Sequence, residues 1–143
     1  MIEIIRDSEN NIVSIIVRND FEKEGVSFFT PDFFSQQLAF MRHPTNKAIS
    51  PHVHNPVSRE VLFTKEVLFI KKGKLRVDFY DEDKNYLESK ILVSGDVILL
   101  ACGGHGFKVL EEVQMIEVKQ GPYAGDKDKT RFEAVDESKI IIK

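Results

Sequence analysis

The chain has 143 residues, of which 42% are hydrophobic, enough for one domain with a sizeable core. A net charge of -3 and a pI near 5.8, with basic residues spread along the chain, give no footprint for a polyanion and exclude nucleic acid as the expected partner. The apolar runs are about five residues long against the ~20 a membrane crossing needs, Met1-Ile2-Glu3 starts no leader pattern, and Cys102 is the single cysteine. A cytoplasmic protein without a disulfide or membrane span is therefore expected.

Ile2-Glu3-Ile4-Ile5, a polar cluster from Asp7 to Asn11, and Ile12 to Val17 read as an N-terminal hairpin within residues 1–20. Phe28-Phe29-Thr30-Pro31-Asp32 reads as a loop, and Gln36 to Arg42 as a strand, although its period also fits one helical turn. From Glu66 onward a meander is expected. Val67 to Ile70 is followed by Lys71-Lys72-Gly73 as a turn, then by the alternating Leu75 to Tyr80 and a second turn at Asp81 to Asn85. Ser89 to Val93, the Ser94-Gly95-Asp96 turn, Val97 to Leu100, Phe107 to Leu110 and Val113 to Gln120 continue it. Short β-branched and aromatic strands at this spacing point to an all-β sandwich or closed barrel. The end of the segment 121–143 carries Ile140-Ile141-Ile142, which reads as a terminal strand. Left at an edge it would be prone to aggregate, so a homodimer sharing this strand is expected.

The residues with the clearest chemistry are Pro51-His52-Val53-His54 and Glu66. On an extended chain His52 and His54 point the same way, and a neighbouring antiparallel strand brings Glu66 alongside them. His105, in Ala101-Cys102-Gly103-Gly104-His105, is a fourth candidate. Three imidazoles and a carboxylate suit one divalent transition metal (Mn, Fe, Co, Ni or Zn) better than Ca or Mg. Cys102 reads as a small buried hydrophobe behind that site, and Gly103-Gly104 as a sharp backbone turn. Gln114, in phase with Ile116 and Val118, is a candidate for facing a ligand.

The stretches His52-Val53-His54, Glu66 to Gly73, and Gly95 to Phe107 resemble the two signature motifs of the cupin superfamily. The resemblance covers about half the chain. It implies one domain over 1–143, a cupin-type double-stranded β-helix or jelly-roll barrel, with its metal-binding part about 36–120. Two departures stand out. Asn55 to Lys65 separate His54 from Glu66, which makes Glu60 a rival ligand, and the second motif has Ala101 for the usual proline and one residue fewer before His105. A second stretch, Ile116 to Phe132, resembles the C-terminal end of the cupin domain in type II phosphomannose isomerases. That likeness implies a sugar-derived small-molecule ligand, with Arg59, Tyr123 and Arg131 as candidates for binding it.

The function these likenesses imply is a metal-dependent isomerase or epimerase of a sugar phosphate or nucleotide-linked sugar, of the kind used in surface polysaccharide synthesis, with Glu66 or His105 as the catalytic base. A non-catalytic saccharide-binding cupin and an Fe(II) dioxygenase are the alternatives.

Overall fold

A computed structural model describes residues 1–143. The chain is all-β and forms two compact units, Met1–Phe21 with Phe63–Lys143, and Glu22–Leu62.

The larger unit is one curled antiparallel sheet. Its strands are β1 (Ile2–Arg6), β2 (Ile12–Val17), β5 (Glu66–Tyr80), β6 (Tyr86–Val93), β7 (Val97–Leu100) and β8 (Gly104–Lys119). They lie in the order β1-β2-β7-β5-β6, with β8 paired to β5. β1 and β2 are the expected N-terminal hairpin, with Ile4 opposite Ile15. β2 is buried along almost its whole length because β1 and β7 flank it and both its faces are covered. The core gathers Val13 and Ile16 from β2, Leu68, Ile70, Leu75, Val77 and Phe79 from β5, and Leu92, Ile98 and Leu100 from β6 and β7.

The β5 members of that core are even-numbered up to Ile70 and odd-numbered from Leu75. Side chains alternate faces along a strand, so the inward set changes phase only if an irregular residue intervenes. Lys71-Lys72-Gly73 is that irregularity, not the turn the sequence suggested: β5 continues through it as one strand, and its ladder with β8 shifts register there. Gly73 has φ +87°, and a Cβ on it would lie 1.9 Å from the Glu112 carbonyl oxygen. Glycine serves here by letting two backbones touch. Phe107 to Leu110 and Val113 to Gln120, expected as two strands, are likewise one strand, β8, bent at the same place.

The bend decides where the strand ends go. Along the ladder Glu66 pairs with Lys119, while Phe79 pairs with His105. A straight ladder would separate those two pairs by about 43 Å at 3.3 Å per residue. Instead Glu66 Oε2 lies 3.3 Å from His105 Nε2, so β5 and β8 curl until their two ends meet.

The C-terminal segment differs from the terminal strand that was expected. Residues 137–139 form a 3-10 turn whose N-cap, Asp136, accepts from the Ser138 N–H. Glu137 receives both Nη atoms of Arg76 at 2.9 and 3.0 Å, and Arg76 also holds Asp78 through Nε and Nη2 at 2.8 and 2.9 Å. With the chain anchored there, only its last residues form backbone hydrogen bonds with a strand of the sheet. Ser89 N–H donates to the Ile141 carbonyl at 2.8 Å and Lys143 N–H to the Ser89 carbonyl at 3.1 Å, a single parallel bridge on the β6 edge of the same chain.

The smaller unit is a two-stranded antiparallel sheet, β3 (Gly25–Phe28) and β4 (Ala39–Arg42). The strand read at Gln36 to Arg42 is present from Ala39. Thr30 Oγ1 donates to Gln37 Oε1 at 2.6 Å and accepts from Leu38 N–H at 3.2 Å, which closes the connecting loop. Residues 43–62 form no strand and are exposed.

Candidate functional site

Glu66 opens β5 and is buried; its neighbours come from opposite ends of β8. Lys119, its ladder partner, places Nζ 2.9 Å from Oε1, and His105 faces Oε2 at 3.3 Å. The contact with His105 lowers the carboxyl from its ordinary 4.5 to about 2; burial opposes the shift and the Lys119 ammonium adds to it. Glu66 is thus an anion at neutral pH. The same ion pair raises the Lys119 ammonium above its ordinary range.

Glu66 and His105 border a cavity of about 610 Å³ within the larger unit. Phe63 and Phe107 bring aromatic faces to it, and Tyr80 and Phe132, packed edge to face at 5.0 Å, bring two more. The Phe107 ring also lies 5.2 Å from the His105 ring. Gly103, at φ +67°, turns the chain beneath the cavity, where a Cβ would sit 2.4 Å from the Tyr80 carbonyl oxygen. Charge on the lining is uneven: Glu66, Glu82, Glu117 and Asp128 against Lys129 and Arg131. Both cations belong to one segment, so any anion is drawn to that side.

Cys102 lines the cavity, and its thiol donates to the Ile12 carbonyl at 3.2 Å. Burial, helped by the Glu82 charge, pushes its pKa up to about 11, so it is a protonated thiol rather than a nucleophile.

The other candidates are distributed as follows. Arg131 lines the cavity, exposed and 3.4 Å from Asp126 Oδ1. Gln114 pairs with Lys72 at the bend, and Tyr123 is exposed; neither lines the cavity. His52, His54, Arg59 and Glu60 lie in the exposed segment of the smaller unit. There the His52 and His54 rings sit edge to face, 5.3 Å apart. His52 Nδ1 lies 3.0 Å from the Ser50 carbonyl oxygen. A carbonyl only accepts, so Nδ1 is the donor in this contact. Nowhere does the structure gather three or more His, Cys, Asp or Glu side chains into a metal-holding group.

Sequence reasoning missed Lys119, Glu117 and the aromatic lining. Their signal was latent: once Glu66 is paired with Lys119, alternation puts Glu117 on the same face, but the pairing itself depends on the bend at Gly73.

Compared with known proteins, the chain matches no family model, no curated protein and no solved structure.

Proposed function

We propose that the protein is a metal-binding cupin that isomerises or epimerises a sugar phosphate or a nucleotide-linked sugar, with His52, His54, Glu66 and His105 as ligands of one divalent transition metal. The observation that carries this reading is the meeting of Glu66 and His105, a carboxylate and an imidazole 3.3 Å apart, at the wall of a cavity large enough for a sugar. Bonds of about 2.1 Å to one metal at tetrahedral or octahedral angles set neighbouring donor atoms roughly 3.0–3.4 Å apart, so this pair fits a shared ion. The protonation of His52 at Nδ1 fits as well, because a ligating imidazole holds its second ring nitrogen in just such a bond.

The metal, when bound, supplies Lewis acidity that polarises a carbonyl oxygen and acidifies the adjacent C–H. The chain's own residues do the rest. The contact with His105, helped by the Lys119 ammonium, keeps Glu66 ionised, and Lys119 fixes its Oε1, so Glu66 is a ligand or acceptor and a weak base. Proton abstraction then falls to His105 in a state where it has left the metal: its freed imidazole nitrogen takes the proton from the substrate carbon and returns it to the neighbouring carbon or to the opposite face. Phe63, Phe107 and Phe132 pack against the apolar face of the ring and exclude water. A phosphate rests towards Lys129 and Arg131, where charge-assisted bonds are available.

One observation favours a second reading, a cupin that binds a saccharide without turning it over. Both oxygens of Glu66 already face cations or donors, as suits a rigid recognition site. Solvent exchange separates the two. With a panel of sugar phosphates and nucleotide-linked sugars in deuterium oxide, an isomerase or epimerase incorporates deuterium at the carbon beside the carbonyl, seen by proton NMR, and loses this in His105→Gln. Ligand-dependent stabilisation without exchange establishes the binding protein. No exchange and no stabilisation with any member of the panel would refute both.

A further inference from the structure

Two parts of the larger unit wall the cavity. The sheet and its turns supply Glu66, Glu82, Glu117 and His105, and the segment that follows β8 supplies Asp128, Lys129, Arg131 and Phe132. The sheet side therefore presents carboxylates and no lysine or arginine, while both cations of the lining come from the segment. How that segment is attached decides what the cavity can hold.

Residues 121–134 form no strand, and Phe132 is the one side chain among them that is not exposed. Its ring lies edge to face on Tyr80 and against Gly104, where a Cβ would come within 2.8 Å of the Phe132 Cζ. Thr64 Oγ1 donates to Asp128 Oδ2 at 2.9 Å. The backbone is pinned at both ends: Gln120 N–H donates to the Lys65 carbonyl at 2.9 Å, and Val135 N–H to the Tyr80 hydroxyl at 3.1 Å. Just beyond, Glu137 is held by Arg76 and Lys108. A segment tied at its ends and buried at one ring between them opens locally at far smaller cost than the sheet unfolds.

We propose that residues 121–134 are a strap that closes on an anionic ligand, with Phe132 as its latch and Lys129 and Arg131 as the groups the ligand holds. This rests on the reading above that sets a phosphate beside those two cations. With the strap lifted, the cavity meets a ligand with carboxylates alone and repels an anion; with the strap down, the two cations offset them. An anion thus binds the closed form better than the open one, and that difference is what drives closure. The coupling is reciprocal, so whatever loosens the strap weakens anion binding by the same factor. Gly104 leaves room for the Phe132 ring to seat. Glu137 lies outside the cavity and acts as a positioning residue, since it fixes the end of the strap.

Hydrogen exchange read by mass spectrometry tests this on the intact protein, with inorganic phosphate as the probe and sodium chloride at equal ionic strength as the reference. A site with a Kd of about 5 mM slows opening about threefold at about 10 mM phosphate. That slowing is expected in peptides covering 121–134 and not in the exposed residues 43–62. It should vanish in Lys129→Gln with Arg131→Gln. Without phosphate, Gly104→Ala and Glu137→Lys should each speed exchange in 121–134 while β2 and β7 keep their protection. No slowing by phosphate, slowing that survives the loss of both cations, or strap exchange unchanged in both variants would overturn the proposal. Protection of the strap by phosphate with no solvent deuterium entering any sugar supports the strap and removes the isomerase; sugar turnover with no protection of the strap does the reverse.

Discussion

Replacing Gly73 by alanine tests whether the bend in β5 is what brings Glu66 to His105. Two costs arise at this position. An L-residue at φ +87° loses about 1–2 kcal/mol to the contact of its Cβ with its own backbone. The second cost is specific to the site: the new Cβ would overlap the Glu112 carbonyl oxygen at 1.9 Å, which backbone cannot give way to without parting β5 from β8. Loss of one or two ladder hydrogen bonds adds about 1–3 kcal/mol, for a total of about 2–5 kcal/mol. Gly125 is the control, because its φ is +67° and nothing lies within 4 Å of the point where its Cβ would stand, so Gly125→Ala bears only the first cost, about 1 kcal/mol. Urea denaturation of the two variants measures the difference. Because the bend sets the Glu66–His105 contact, Gly73→Ala should also abolish the part of the acid destabilisation, between pH 4.5 and 2, that comes from Glu66. Equal destabilisation by the two alanines would refute the close approach as the reason for glycine.

Glu66 has a folded pKa of about 2 against an ordinary 4.5, so its contribution to stability is complete above pH 4.5 and is lost as the pH falls towards 2. Urea midpoints of Glu66→Gln should fall less steeply than those of the wild type across that window; parallel curves would contradict the contact with His105 and Lys119. Arg76 is buried between Asp78 and Glu137, and Arg76→Met leaves the Asp78 carboxylate buried without its cation, a loss of about 3–5 kcal/mol. Much of that should return in Arg76→Met with Asp78→Leu, and a single-variant loss below about 1 kcal/mol would show that the network does not anchor the C-terminal segment.

The hairpin at Ile2 to Val17 and the turns at Asp81 to Asn85 and Ser94 to Asp96 were legible because alternation and turn chemistry agree there. Lys71-Lys72-Gly73 misleads because a glycine after two charged residues is the same local signal whether the chain reverses or a strand bulges. What separates the two is the Glu112 backbone, about forty residues away in sequence and invisible to any local window. The C-terminal isoleucines mislead for a similar reason. Their apolar run says strand, but the anchoring of Glu137 by Arg76, a contact across sixty-one residues, fixes where the chain can go. Glu66 and His105, which meet at the cavity, were singled out by residue type and spacing, whereas Lys119 was not, since nothing near it in sequence distinguishes it from Lys108.

The most direct test of the central claim is the metal content of the purified protein and its variants by plasma mass spectrometry. One divalent transition metal per chain is expected, lost in His52→Ala with His54→Ala and in Glu66→Gln, and retained in Glu60→Gln. Absence of stoichiometric metal from the wild type, or its full retention in the double histidine variant, would contradict the account; loss in Glu60→Gln with retention in Glu66→Gln would take Glu66 out of the ligand set.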